Sequence, residues 1–122
     1  MAVSTDTAAD PLDRTYLQKN YFALGCGDVL VSVCNIYLES APQKIKQLHQ
    51  LLLHNDSGPV ISLLHGLKGE SGSVGARYVM ALAAELEKAA RADDLDTVRR
   101  ALPDLELLLQ QVITVITQEI LS

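Results

Sequence analysis

Residues 60–76 read Val60-Ile61-Ser62-Leu63-Leu64-His65-Gly66-Leu67-Lys68-Gly69-Glu70-Ser71-Gly72-Ser73-Val74-Gly75-Ala76. Val60, Leu64, Leu67, Ser71 and Val74 recur at intervals of three and four, the spacing that aligns side chains on one face of an α-helix. His65, Lys68, Gly69 and Gly72 recur at the same spacing on a neighbouring strip. The segment therefore reads as a helix with one face for a core. About a quarter-turn away lies a second face with an imidazole, a cation one turn along and almost no side-chain bulk. Helix glycine costs about 1 kcal/mol relative to alanine, but bare backbone lets another surface come close to the ring. A lysine one turn away can neutralise a phosphoryl group as a point charge. The residues alone admit two readings. One is a docking face for a bulky electrophile carried by another protein; the other is a partly buried helix histidine whose glycines let helices pack closely.

Working outward, the same helical period continues on both sides. Asn55-Asp56-Ser57-Gly58-Pro59 is a turn, so the site helix starts near Ser57 or Pro59 and ends near Ser71–Ser73. Upstream, Val29, Val33, Ile36, Ser40, Lys44, Leu48, Leu51 and Leu52 form a helical stripe, with Asp28 as a candidate cap. Pro42 interrupts it. The alternatives are a kink near Leu38 or a full break with Ser40 capping a fresh helix. Earlier still, Tyr16, Leu17, Tyr21 and Leu24 give a short helix an apolar side. Asp10 or Asp13 would cap it, and Gly25 and Gly27 would end it. Residues 1–10 are small and polar and read as a disordered linker or tail. Residues 11–122 then form one domain.

Downstream, Gly75 begins a tight connection to a helix over about 76–91, with Val79, Leu82, Leu86 and Ala89 as its buried stripe. After a turn at Ala92-Asp93-Asp94, the last helix carries the cleanest seam: Leu95, Val98, Leu102, Leu105, Leu109, Val112 and Ile116. Pro103 should bend it locally. No stretch reads as a strand. Four amphipathic helices with short connections predict an all-α, up-down-up-down antiparallel four-helix bundle, with the short extra N-terminal helix across one end.

Composition narrows the function. The chain of 122 residues fits a single core, and 48% hydrophobic content with no tryptophan and one phenylalanine makes that core aliphatic. A net charge of −5 without any basic run argues against a nucleic-acid partner. Cys26 and Cys34 have neither metal nor redox spacing, and reduced thiols are expected. His49 and His54 share no helix face, and no Glu-x-x-His pair occurs, so no metal site is expected. With no secretory signal and no apolar run near the ~18 residues of a membrane span, a cytoplasmic location and no membrane contact are expected.

The string from His65 to Ala76 resembles the signature of the histidine phosphotransfer (HPt) family of bacterial multistep phosphorelays. That signature is a histidine followed by x-Leu-Lys-Gly-x-Ser/Ala-Gly-x-x-Gly-Ala. His65, Leu67, Lys68, Gly69, Gly72, Gly75 and Ala76 fall in register. Leu82, Leu86 and Glu87 match the next helix, and Tyr37-Leu38-Glu39-Ser40-Ala41-Pro42 is similar to the family's Phe-Leu-Glu-x-Ala-Pro segment. The resemblance covers roughly residues 12 to 118. It favours the kinked form of the Pro42 helix and implies the four-helix bundle. Glu70 departs from it, standing where the family more often has a small residue. That places an extra negative charge near the site, which would weaken phosphoryl affinity.

The resemblance implies roles. His65 is the phosphoryl acceptor through Nε2, and Lys68 is the charge partner of the phosphoryl oxygens. Glu87 accepts a hydrogen bond from Nδ1, although its residue type fits a solvated helix carboxylate nearly as well. Gly69 and Gly72 give clearance. Position, not the resemblance, makes Arg77, just past the motif, and Ile61, one turn before His65, candidates for a receiver-docking face; an exposed arginine at a helix start and a residue at the core rim are their plainer alternatives. The chain has no Walker loop, kinase glycine loop or acidic magnesium cluster. It is therefore expected to be a phosphocarrier without kinase activity or a cofactor of its own. The aspartate and Mg²⁺ would come from partner response-regulator receiver domains, the rest of a hybrid sensor kinase being a further candidate partner, and the domain itself a monomer. A binding-only module is the alternative, favoured by Glu70. The phosphorylated domain of a chemotaxis-type kinase is a third.

Overall fold

The computed structural model describes residues 10–122. Most of the tail expected over residues 1–10 lies outside them. Asp10 does not: its carboxylate accepts from the Leu12 N–H at 3.0 Å and from the Arg14 guanidinium, so it belongs to the folded part.

The described chain is helical and contains no strand. Helix α1, Arg14–Leu17, passes into a π-helical turn over Gln18–Phe22. It is followed by α2 (Gly27–Leu51), α3 (Ser57–Ser73), α4 (Arg77–Arg91) and α5 (Leu95–Val115), the last ending in a second π-helical turn, Ile116–Ile120. Aspartates start three of them by satisfying otherwise orphaned N–H groups. Asp13 accepts from Tyr16 N–H, Asp56 from Gly58 N–H and Asp94 from Thr97 N–H. The expected cap Asp28 sits instead inside the first turn of α2, where its charge complements the helix dipole, and Cys26 occupies the cap position without a side-chain bond.

Helix α2 runs unbroken through Pro42. The full break is therefore excluded, and Ser40 is no cap; its hydroxyl donates to Glu70 Oε2 at 2.8 Å. The buried stripe of α2 is Leu30, Cys34, Tyr37, Ala41, Ile45 and Leu48, one position later than the expected Val29, Val33, Ile36, Ser40 and Lys44. Tyr37 explains the shift. Its hydroxyl shares a 2.8 Å hydrogen bond with that of buried Ser71, so a tyrosine and a serine enter the core together with their polar atoms paired. Ile36 is left 65% exposed, against 6% for Ile45 in the same helix.

In α4, Val79 and Leu86 are buried as expected, but Leu82 and Ala89 are only half-buried and Ala83, Glu87 and Ala90 take the interior places. All seven positions of the α5 seam are buried. Neighbouring helices run in opposite directions where side chains report it. Tyr37 and Lys44 of α2 meet Ser71 and Glu70 of α3; His65 and Gly72 of α3 meet Glu87 and Met80 of α4. The N-terminal segment closes one end. Asp13 N–H donates to Gly75 O at 2.7 Å, Tyr21 Oη–H to Ser73 O at 2.7 Å, and Arg14 pairs with Glu119 at 2.7 Å. Gly75 has φ +73° and lies against Leu17, so the turn needs both the left-handed backbone and the missing side chain.

Candidate functional site

Helix α3 buries Val60, Leu64, Leu67 and Ser71. That phase leaves the His65 ring outside, with 66% of the side chain exposed, beside α4. The contact across the gap is Glu87, whose side chain is only 7% exposed. Its Oε2 lies 3.1 Å from His65 Nδ1 and its Oε1 2.9 Å from Lys68 Nζ. Arg91, one turn further along α4, donates from Nε and Nη2 to Oε2 at 3.1 and 2.8 Å. The structure thus brings His65, Lys68 and Glu87 together and adds Arg91, which the sequence reading missed. The local signal for Arg91 is the Glu-to-Arg spacing of four on a helix.

Three donors on one carboxylate fix its protonation. Hydrogen bonds from Lys68, then Arg91, outweigh the burial that opposes ionisation and hold Glu87 down to about 2. At neutral pH Glu87 is an acceptor only. The His65 Nδ1 facing it must carry the proton, and in the neutral ring the lone pair is left on Nε2. Nε2 has no hydrogen-bond partner among the described residues. A lone pair on an exposed nitrogen, a lysine within a turn and an anchored ring are the makings of a nucleophile for an anionic electrophile.

The two glycines differ. A Cβ at Gly69 would meet nothing within 4 Å, so this position is open surface. A Cβ at Gly72 would stand 3.1 Å from Met80 Sδ, so its bareness also serves the approach of α4. Both line a shallow depression of about 320 Å³ with Tyr16, Ser73, Arg77 and Met80. Arg77 donates from Nε and Nη2 to the Asp10 carbonyl at 3.1 and 3.0 Å, which ties the N-terminal segment to the start of α4 at the rim of that depression. Ile61, one turn before His65, is half-buried and packs against the core.

Glu70 is placed otherwise than the sequence suggested. It lies on the α2 side of α3, and its Oε2 takes Ser40 Oγ–H at 2.8 Å and Lys44 Nζ at 3.3 Å. Its Oε2 is paired there, on the side of α2, while its buried Oε1 has no hydrogen-bond partner among the described residues. Nothing local in the sequence announces the Lys44–Glu70 pair, which exists only once α2 and α3 pack. Lys44 also passes close enough to Gly66 that a Cβ there would stand 3.0 Å from its Cε.

His49 pairs with Glu106 at 3.0 Å on the far α2–α5 face. Among the described residues no group of three His, Cys, Asp or Glu side chains is placed to hold a metal, and no helix is long and apolar enough to cross a membrane. Cys26 and Cys34 are unpaired, and burial pushes the Cys34 thiol up to about 11.

Residues 32–115 match the family model described as the Hpt domain, a span that includes α3, α4 and the Glu87 partners His65, Lys68 and Arg91. No curated protein and no solved structure matches the chain. A helical bundle that presents an anchored histidine beside a lysine, matched by that model over more than half its length, belongs to the Hpt family, the histidine phosphotransfer domains of phosphorelays.

Proposed function

We propose that His65 accepts a phosphoryl group from the phosphoaspartate of a receiver domain and passes it to the aspartate of a second receiver. In the first transfer the Nε2 lone pair attacks phosphorus, the Nε2–P bond forms, and the P–O bond of the acyl phosphate breaks with its electron pair leaving on the aspartate carboxylate. The ring gains positive character as this happens. Its Nδ1–H stays hydrogen-bonded to the Glu87 carboxylate, which offsets that charge and keeps the ring aimed. Lys68 neutralises phosphoryl oxygens. The reverse step regenerates the neutral ring. Mg²⁺ and the acidic groups that bind it are supplied by the receiver, so the chain is a carrier and not a kinase, acting in the cytoplasm.

The observation that supports this reading above all is the 3.1 Å contact between His65 Nδ1 and Glu87 Oε2, which leaves Nε2 free on an exposed ring. The docking face in this reading is Gly69 and Gly72 with Ile61 and Arg77 around them. A panel of phosphorylated receiver domains tests it. At least one should transfer its phosphoryl group to the chain, and the labelled chain should then phosphorylate a second receiver. Stoichiometric complexes without transfer from any receiver would replace this reading with a binding role.

A further inference from the structure

Glu87 serves three donors, and one of them has another task. Lys68 holds Oε1 at 2.9 Å, while Oε2 takes His65 Nδ1 at 3.1 Å and Arg91 Nη2 at 2.8 Å. When Lys68 turns toward a phosphoryl group on Nε2, it shares or gives up its hold on Oε1. A carboxylate only 7% exposed and stripped of cations would turn or take up a proton, and would then stop accepting from Nδ1–H just as the ring becomes cationic. Arg91 is placed to prevent this. It stands on the same helix as Glu87, one turn away, and two of its N–H groups converge on Oε2, the oxygen nearer the ring nitrogen at 3.1 Å against 3.4 Å for Oε1. Its hydrogen bonds and ion pair among the described residues are all to Glu87 and none is to α3, so its hold does not depend on where Lys68 stands.

Resting on the reading of His65 as the phosphoryl acceptor, we propose that Arg91 is a positioning residue that keeps the Glu87 carboxylate aimed at Nδ1 while Lys68 shifts its charge from Glu87 to the phosphoryl group. One carboxylate then serves two states, with Lys68, Arg91 and the ring before transfer, and with Arg91 and the ring after it.

The test is single-turnover labelling of His65, run with a phosphorylated receiver and in parallel with phosphoramidate, a small donor that requires no docking. Arg91→Ala should slow both by about tenfold, the loss expected for one charge-assisted contact. Arg91→Lys should recover part of the rate. Lys88→Ala removes a charge from the next position to Glu87 but is not one of its ion-pair partners, and should leave both rates unchanged. In a Glu87→Gln background, Arg91→Ala should cost nothing further, because Arg91 acts through that carboxylate. Proton NMR gives a second reading: the Nδ1–H of phosphorylated wild type should be protected from exchange and that of phosphorylated Arg91→Ala should not. If Arg91→Ala does not fold by circular dichroism, Arg91→Lys carries the same cycle. Wild-type rates in the Arg91 variant, or an additive loss in the Glu87→Gln background, overturn the proposal. Labelling by phosphoramidate but by no receiver removes the proposed relay partner and leaves Arg91 to be judged on the small donor. Labelling by neither donor overturns both.

Discussion

His65 Nδ1 on α3 lies 3.1 Å from Glu87 Oε2 on α4, and that carboxylate, held near 2, can only accept. In the neutral ring the proton therefore sits on Nδ1 and the lone pair on Nε2, the nitrogen proposed to take the phosphoryl group. Glu87→Gln keeps the shape and removes the charge. We expect nitrogen NMR to show a single Nδ1–H tautomer in wild type and a mixture in the variant, and single-turnover transfer to fall about tenfold or more, as for loss of a charge-assisted hydrogen bond. A variant with wild-type tautomer and rate would leave Glu87 as a structural ion pair.

The same carboxylate gives the stability a pH dependence. Lys68 and Arg91 hold Glu87 at about 2 in the folded chain, below its ordinary 4.5. A depressed carboxylate contributes stability that is fully present above the unfolded value and is lost as pH falls through the folded one. The melting-temperature advantage of wild type over Glu87→Gln should therefore be constant above about pH 5 and shrink between about 4.5 and 2. A difference that stays flat through this window would mean that the ion pairs do not hold the native state.

The register of α2 is tested by one residue type at two places. Ile45 is 6% exposed and Ile36 65%. Ile45→Ala should cost about 2–5 kcal/mol in urea unfolding, like other buried aliphatic truncations, while Ile36→Ala should stay within about 0.5 kcal/mol, the usual surface range. Comparable losses at the two sites would mean that the stripe read from the aliphatic spacing is the buried one after all.

That pair shows what the sequence could and could not convey. In α5 every seam position is an unambiguous aliphatic, so periodicity alone fixes the face. In α2 two adjacent phases both keep a spacing of three and four. The phase that is buried includes Cys34, Tyr37 and Ala41, the tyrosine entering the core with its hydroxyl paired to Ser71 of α3. Partners on another helix decide such cases, and spacing does not show them. The site divides in the same way. His65 and Lys68 lie one turn apart on one helix and are legible directly. Glu87 became a candidate only through the family resemblance. Arg91 has a local signal in its spacing from Glu87, whereas the pairing of Glu70 Oε2 with Lys44 and Ser40 depends on helix packing alone.

Docking and transfer should separate at Gly69 and Lys68. A side chain at Gly69 meets open space, so Gly69→Leu should fold at least as stably as wild type, helix glycine being unfavourable, yet weaken receiver binding by calorimetry. Lys68→Ala should barely change binding of the unphosphorylated chain but slow transfer about tenfold to a hundredfold, since a contact to a charged group is worth roughly 1.5–3 kcal/mol. Equal losses of binding and transfer in Lys68→Ala, with Gly69→Leu silent, would reverse the two assignments.

The most direct measurement is the position of the phosphoryl group after incubation with a phosphorylated receiver and Mg²⁺. The account predicts a single acid-labile, alkali-stable label that maps to His65, bonded at Nε2, and is absent from a folded His65→Gln variant. A label on His49 or His54, or one that survives in His65→Gln, would contradict it.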